Sequence, residues 1–198
     1  MTAPVILDTP RLRLRQWRDD DLAPFARLNA DPRVMAHFPT LLERAASDAV
    51  AARLRAEIAE RGWGFWAVEA KNDATRATKD GPGGFIGFTG LRIPAVPLPI
   101  GPCVEIGWRL AAEHWGHGFA SEAARAALDY GFRTLGLTEI VSFTALQNER
   151  SQAVMRRIGM QHRGEVFEHP GVAPGHPLRA HCLYRLGREA WGAAGRTT

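Results

Sequence analysis

Residues 103–135 change hydrophobic period once, and two glycines sit where the change happens. "CVEIGWRLA" is a nearly continuous apolar run and reads as a buried strand. "SEAARAALDYGFRTL" then repeats at helical spacing. Ala123, Ala124, Ala127, Leu128, Gly131, Phe132 and Leu135 form one stripe of a helix over about Ser121–Leu135, ended by Gly136. Between them lies "HWGHGFASEA", His114 to Ala123. A strand that passes through Gly116 and Gly118 straight into a helix presents first-turn amides that have no intrahelical partner. The helix dipole adds partial positive charge at the same place, which makes an anion site. Glycine permits the unusual dihedrals, and Ala120 keeps the approach open. The amides of Gly116, His117, Gly118, Phe119, Ala120 and Ser121 are therefore candidates to converge on phosphate oxygens. An ordinary tight turn is the competing reading. No Lys-Ser or Lys-Thr pair follows the glycines, so the turn is not the nucleoside-triphosphate loop. The dinucleotide fingerprint of three spaced glycines is also absent.

The rest of the chain supplies a sheet and its helices. "RLRLRQW" alternates Leu12 and Leu14 with Arg11, Arg13 and Arg15, predicting a strand with one wet face. "DDDLAPFARLNAD" predicts a helix capped by Asp19 or Asp20, with Leu22, Phe25 and Leu28 on one face. A second helix is expected over about Ser47–Arg61, ended by Gly62. "GFWAVEA" and "FIGFTGL" read as strands joined by a polar, glycine-rich hairpin loop over Lys71–Gly84. The four-proline stretch Arg92–Pro102 cannot be regular sheet and is expected beside a substrate entrance. "EIVSFTAL" is a strand. Asn148 caps a short helix that Gly159 ends, and "MQHRGEVFE" and "RAHCLYRL" are final strands. This order implies an α+β fold with a mixed sheet around one β–α–β unit.

At 198 residues and 45% hydrophobic composition the chain fits one domain with a sizeable core. It has no apolar run of bilayer length and no signal-peptide pattern, which predicts a cytoplasmic protein without a membrane partner. Cys103 and Cys182 are expected as free thiols. The net charge of +4 fits an anionic ligand, but the charges are well mixed, which argues against nucleic acid.

The stretch "VEIGWRLAAEHWGHGFASEAARAALDYGF", followed by "IVSFTALQNERSQAVMRRIGM", closely resembles the Gcn5-related N-acetyltransferases. It is most similar to the branch containing the ribosomal-protein N-terminal, RimJ/RimL-type, acetyltransferases. That branch shows an opening like "TPRLRLRQW", a segment like "ADPRVM", a tryptophan–glycine turn before a variant of "ATEA", and "N..S..VM.R.GM". All occur here in order, over roughly Thr9 to Gly164. The resemblance implies a single N-acetyltransferase domain over residues 1–198. It implies a mostly antiparallel central sheet flanked by helices, with one splayed parallel strand pair. It implies acetyl-CoA as cosubstrate, no metal, and transfer to a primary amine, either a protein N-terminus or a small amine. A homodimer is the family-level expectation.

By the same resemblance the turn from Trp115 to Ser121 holds the pyrophosphate. Trp115 stands where the family usually has Arg or Gln, which leaves the backbone amides to carry the binding. His117 is either a phosphate contact or a solvated side chain. The pantetheine arm is expected to pair with the backbone of Trp108, Arg109 and Leu110, although Trp108 also reads as core. Glu105, in an otherwise apolar strand, is a candidate general base with a raised pKa, or else a Glu facing solvent or an Arg. Asn148 is a helix cap and, by resemblance, a pantetheine contact. Ser151 is expected to donate to the departing thiolate, with an ordinary place in the first helical turn as the alternative.

His162, His169, His176 and His181 match no zinc spacing. His169 and Glu168 are candidates for the acceptor pocket. Trp63, Phe65 and Trp66 divide between that role and core. The resemblance puts the acceptor pocket at about Val34–Thr40 and Pro94–Pro102. No serine sits in a nucleophile-elbow pattern. A catalytically silent acyl-CoA-binding or ribosome-interacting module is the alternative to an enzyme. A nucleic-acid-binding protein is a weaker third class.

Overall fold

The computed structural model describes residues 3–71 and 84–194. The hairpin loop expected over Lys71–Gly84 lies almost wholly outside the described residues. The secondary structure runs β1 (Leu7–Asp8), β2 (Leu12–Arg15), α1 (Leu22–Ala30), α2 (Arg44–Arg61), β3 (Phe65–Ala70), β4 (Gly84–Arg92) and β5 (Glu105–Leu110). It continues with α3 (Phe119–Asp129), β6 (Glu139–Ala145), α4 (Glu149–Arg157), β7 (Gln161–Glu168), β8 (Ala180–Gly187) and α5 (Arg188–Ala194). The chain divides into two units, one of residues 1–90 and 107–127, the other of residues 91–106 and 128–198. Eight strands, mostly antiparallel with one parallel pair, and flanking helices give the expected α+β architecture. No helix among the described residues is long and apolar enough to cross a membrane.

In the first unit β1, β2, β3 and β4 follow one another as sheet neighbours, and β5 lies next to β4. Leu12 and Leu14 are fully buried, as the alternation requires. Arg15 departs from the expected wet face and is 5% exposed. It is stabilised there by carboxylates: its guanidinium donates to Asp21 at 2.7 and 2.9 Å and to Glu69 at 2.6 Å. Asp21, rather than Asp19 or Asp20, organises the start of α1. Its carboxylate accepts the Arg18 amide at 2.8 Å, while neither the short 3-10 turn Asp19–Asp21 nor α1 has a side-chain cap. Trp17 closes the core, with its indole N–H on the Phe65 carbonyl at 2.8 Å and its ring edge-on to Phe25 at 4.9 Å. Phe65 and Trp66 are buried beside it and belong to this core. The second helix begins at Arg44, three residues before the expected Ser47, and ends at Gly62 as expected.

In the second unit β6 pairs with β8, and β8 with β7, all antiparallel, while β5 meets β6 in parallel. Leu98, Val141, Phe167 and Leu183 form one cluster of its core, with Ile100, Cys103 and Phe143 packed against it. The proline-rich connection therefore sends Leu98 and Ile100 into packing. The helix expected to run unbroken to Leu135 changes after Asp129 into one π turn, Tyr130–Thr134. There Leu135 N–H reaches the Tyr130 carbonyl, five residues back. A side chain at Gly131 would meet Ile140 and Leu91 at 2.8 Å each, so glycine lets this turn lie flat on the sheet. The last helix, α5, has no counterpart in the sequence reading. Its Trp191 lies 6.1 Å from Phe132, with the indole N–H on Asp129. Cys103 and Cys182 are free thiols.

Candidate functional site

The glycine turn has the conformation its composition demands. Gly116 and Gly118 take φ of 82° and 79°, a region open to glycine and strained for other residues. Gly116, His117 and Gly118 are exposed, and the space a side chain at Gly116 would enter is empty to 4 Å. α3 starts at Phe119, two residues before the expected Ser121. Its first bond is Glu122 N–H to the Gly118 carbonyl at 3.0 Å. The amides of Phe119 and Ala120 therefore precede the helical ladder and lie at the positive end of the dipole. Phe119 and Ser121 are buried, which anchors the helix start from beneath. Open space, a bare turn and free first-turn amides fit a diphosphate.

The turn is braced from two sides by residues the sequence reading did not connect. Trp115 directs its indole N–H back to the Leu110 carbonyl at 2.9 Å, tying the turn to the end of β5. Glu122 accepts the Thr9 hydroxyl at 2.6 Å, the Arg11 amide at 3.0 Å and the Arg11 guanidinium at 2.6 Å. Arg11 in turn donates to the His117 carbonyl at 3.0 Å and covers the Phe119 ring at 4.7 Å. Burial pushes the Glu122 carboxyl up, but these donors outweigh it and hold the group below the usual carboxylate range. The His117 side chain is exposed and stacks on Phe119 at 5.7 Å.

On β5, Trp108 and Arg109 are half-buried and Leu110 is buried. Gly87 of β4 has no side chain because the Arg109 carbonyl occupies that space. The Arg109 carbonyl thus faces β4, and alternation turns the Trp108 and Leu110 main-chain groups the other way. Of those, the Leu110 carbonyl is already taken by Trp115. The Arg109 side chain donates to Asn29 at 2.6 Å.

In the second unit the parallel pairing is short. Glu105 opposite Val141 is its one register pair, with Val141 N–H on the Val104 carbonyl at 3.0 Å. The Ile106 carbonyl on β5 accepts the Ser142 hydroxyl at 2.9 Å. Glu105 is half-buried at the start of the strand, between the two placements that the sequence leaves open. Burial, then the Glu105 charge, push the Cys103 thiol up. Asn148 caps α4: its carbonyl oxygen accepts the Ser151 amide at 3.2 Å and its amide donates to Thr144 at 2.8 Å. Ser151 is half-buried, and its hydroxyl makes no hydrogen bond among the described residues.

The four C-terminal histidines do not converge. His169 and His181 stack at 4.9 Å against Phe143 and Phe167. His162 stacks on Tyr184, and His176 accepts the Leu178 amide. Burial, with the nearby His181 and Arg179, pushes His169 down to about 4. Among the described residues no cluster of three metal-ligating side chains occurs.

Residues 11–161 match the family model for the acetyltransferase (GNAT) domain. The protein YkkB of Bacillus subtilis is 35% identical over 168 residues, which are 82% of this chain and 88% of YkkB. The crystal structure of an acetyltransferase from Agrobacterium tumefaciens superposes with a TM-score of 0.69 at 27% identity, covering 94% of this chain and 96% of that one. The spermidine N-acetyltransferase of Vibrio cholerae, solved with CoA and spermine, shares the fold with a TM-score of 0.68 at 21% identity, over 92% of this chain and 99% of its own. With about three-quarters of its length inside one family model and a relative 35% identical over 82% of the chain, the chain belongs to the GNAT acetyltransferase family.

Proposed function

We propose that this chain is an N-acetyltransferase of the RimJ/RimL-like branch that moves an acetyl group from acetyl-CoA directly to a primary amine. The observation that carries the reading is the bare turn at Gly116–Gly118, opening into α3 with the Phe119 and Ala120 amides ahead of the helical ladder. The family match runs through residues of both units, which supports one transferase domain.

In this reading the amides from Gly116 to Ser121 hold the diphosphate, and the Trp108 main chain pairs with the pantetheine arm. The Trp108–Arg109 segment polarises the thioester carbonyl. The amine lone pair forms the new C–N bond, its proton passes to Glu105, and the C–S bond breaks to release a thiolate. Ser151, whose hydroxyl is uncommitted, donates to that sulfur. Positioning two bound reactants supplies most of the acceleration.

Calorimetry with acetyl-CoA, followed by thiol release over a panel of amines and N-terminal peptides, tests the reading. Acceptor-dependent release is expected, with kcat lowered about 10²-fold or more in Glu105→Gln at preserved acetyl-CoA affinity. Binding with no release across the panel would make the chain a silent acyl-CoA module. No binding would remove the reading altogether.

A further inference from the structure

Arg15 and Arg109 are a buried and a half-buried arginine of the same unit, and the chain treats them in opposite ways. Arg15 is met by the two carboxylates of Asp21 and Glu69. Arg109 is met by none among the described residues. Its one hydrogen-bond acceptor is the neutral Asn29, through Nη1 at 2.6 Å. Asn29 is fully buried, and its own amide is spent on Ser47 at 2.9 Å, so no charge reaches Arg109 through it. The Nε of Arg109 is buried without a partner. Phe88 lies 5.4 Å from the guanidinium carbon and Phe38 covers it at 4.0 Å. Phe88 belongs to the core at 7% exposure, whereas Phe38, in the segment between α1 and α2, is 39% exposed. Burial of the guanidinium pushes Arg109 down to about 10.

A desolvated cation without a counter-charge is costly to keep. A guanidinium stays charged at neutral pH even so, and its planar fork matches a carboxylate better than any other side chain does. The aromatic faces hold the fork in one plane, and the ring that covers it is itself open to solvent. We propose that Arg109 recognises a carboxylate on the amine acceptor, so that this chain favours acceptors carrying an acid near the reacting amine over plain polyamines. The inference rests on the transferase reading above and names its substrate class. Arg109 is then a specificity residue. The Nε edge, which has no partner among the described residues, takes the carboxylate in the plane that the aromatic faces fix.

The test uses the full chain and matched acceptors. Alanine against alaninamide reports an α-carboxylate. Aspartyl-alaninamide against asparaginyl-alaninamide reports a side-chain carboxylate. Thiol release from acetyl-CoA is expected to favour the acid of at least one pair by about tenfold or more in kcat/KM, chiefly through KM. Arg109→Met should bring that ratio to about one, and Arg109→Lys, which keeps the charge without the fork, should leave it between the two. Acid and amide turned over equally by the unsubstituted protein overturn the inference without any variant, so a misfolded variant cannot rescue it. An Arg109→Met protein that loses acetyl-CoA affinity in calorimetry while keeping the ratio also overturns it, because the cation then serves the cofactor. Should no acceptor turn over, thermal shift with N-acetylalanine against N-acetylalaninamide, and N-acetylaspartyl-alaninamide against N-acetylasparaginyl-alaninamide, in the presence of CoA decides. Stabilisation by the acid of either pair, absent in Arg109→Met, supports carboxylate recognition even where the transferase reading fails. No difference within either pair refutes it.

Discussion

Glu122 is the perturbation that best separates a braced phosphate turn from a merely glycine-rich one. Its side chain is 17% exposed and accepts three hydrogen bonds from Thr9 and Arg11, residues more than a hundred positions away in sequence. The guanidinium pair involves an Arg11 side chain that is 43% exposed, so solvent screening limits it to about 1 kcal/mol or less. The hydroxyl and amide bonds to the carboxylate are better enclosed, at about 1 kcal/mol each after partial replacement by water. Glu122→Ala should therefore cost about 3 kcal/mol in urea denaturation, or roughly 6–12 °C in melting temperature for a chain of this size. Glu122→Gln keeps the shape and one acceptor and should cost about half as much. The folded-state pKa of Glu122 lies below its ordinary 4.5. The stabilisation is therefore present above about pH 4.5 and is lost as pH falls through the lower folded value, so the gap between wild type and Glu122→Gln should narrow in acid. Arg11, released from Glu122, no longer fixes the His117 carbonyl, and the acetyl-CoA Kd should rise about three- to tenfold. A Glu122→Ala protein with unchanged stability and unchanged acetyl-CoA affinity would refute the brace.

Two further substitutions probe the same geometry and the second unit. Gly116→Ala meets no atom within 4 Å but forces alanine to φ near 82°, so stability should fall by about 1 kcal/mol. The acetyl-CoA Kd should rise tenfold or more, because the added methyl enters the space given to the diphosphate. An unchanged Kd in calorimetry argues against that placement. His169 is held neutral, mainly by burial, with a folded value of about 4 against an ordinary 6.5. The unfolded chain binds the proton first, so stability should be full above about pH 6.5 and should decline by up to about 1.4 kcal/mol per pH unit as pH falls toward 4. His169→Gln should flatten that part of the curve. A wild-type curve already flat between pH 6.5 and 4 would count against a buried neutral imidazole.

What was legible in the chain was whatever the backbone period or a glycine encodes locally. The strand alternation at Leu12 and Leu14, the caps at Asn148 and Gly62, and the turn at Gly116–Gly118 each need only a few neighbouring residues to be read, and the structure has them where expected. Misreadings occurred where a distant partner reverses a local preference. Arg15 reads as solvated until Glu69, 54 residues on, appears beside it with Asp21. Glu122 carries no local signal of its role, because its partners Thr9 and Arg11 lie more than a hundred positions away. Arg109 has the opposite character: the family resemblance implies a role for its backbone, and its side chain stands out only because no acid among the described residues comes to it. Charge compensation is a long-range property, and a single sequence carries no pattern for it. The informative residues in this fold are accordingly its buried ions. Where one is paired, the pairing explains the architecture, as at Arg15. Where one is left unpaired in a transferase that must bind a second substrate, the missing counter-charge is most economically sought in that substrate.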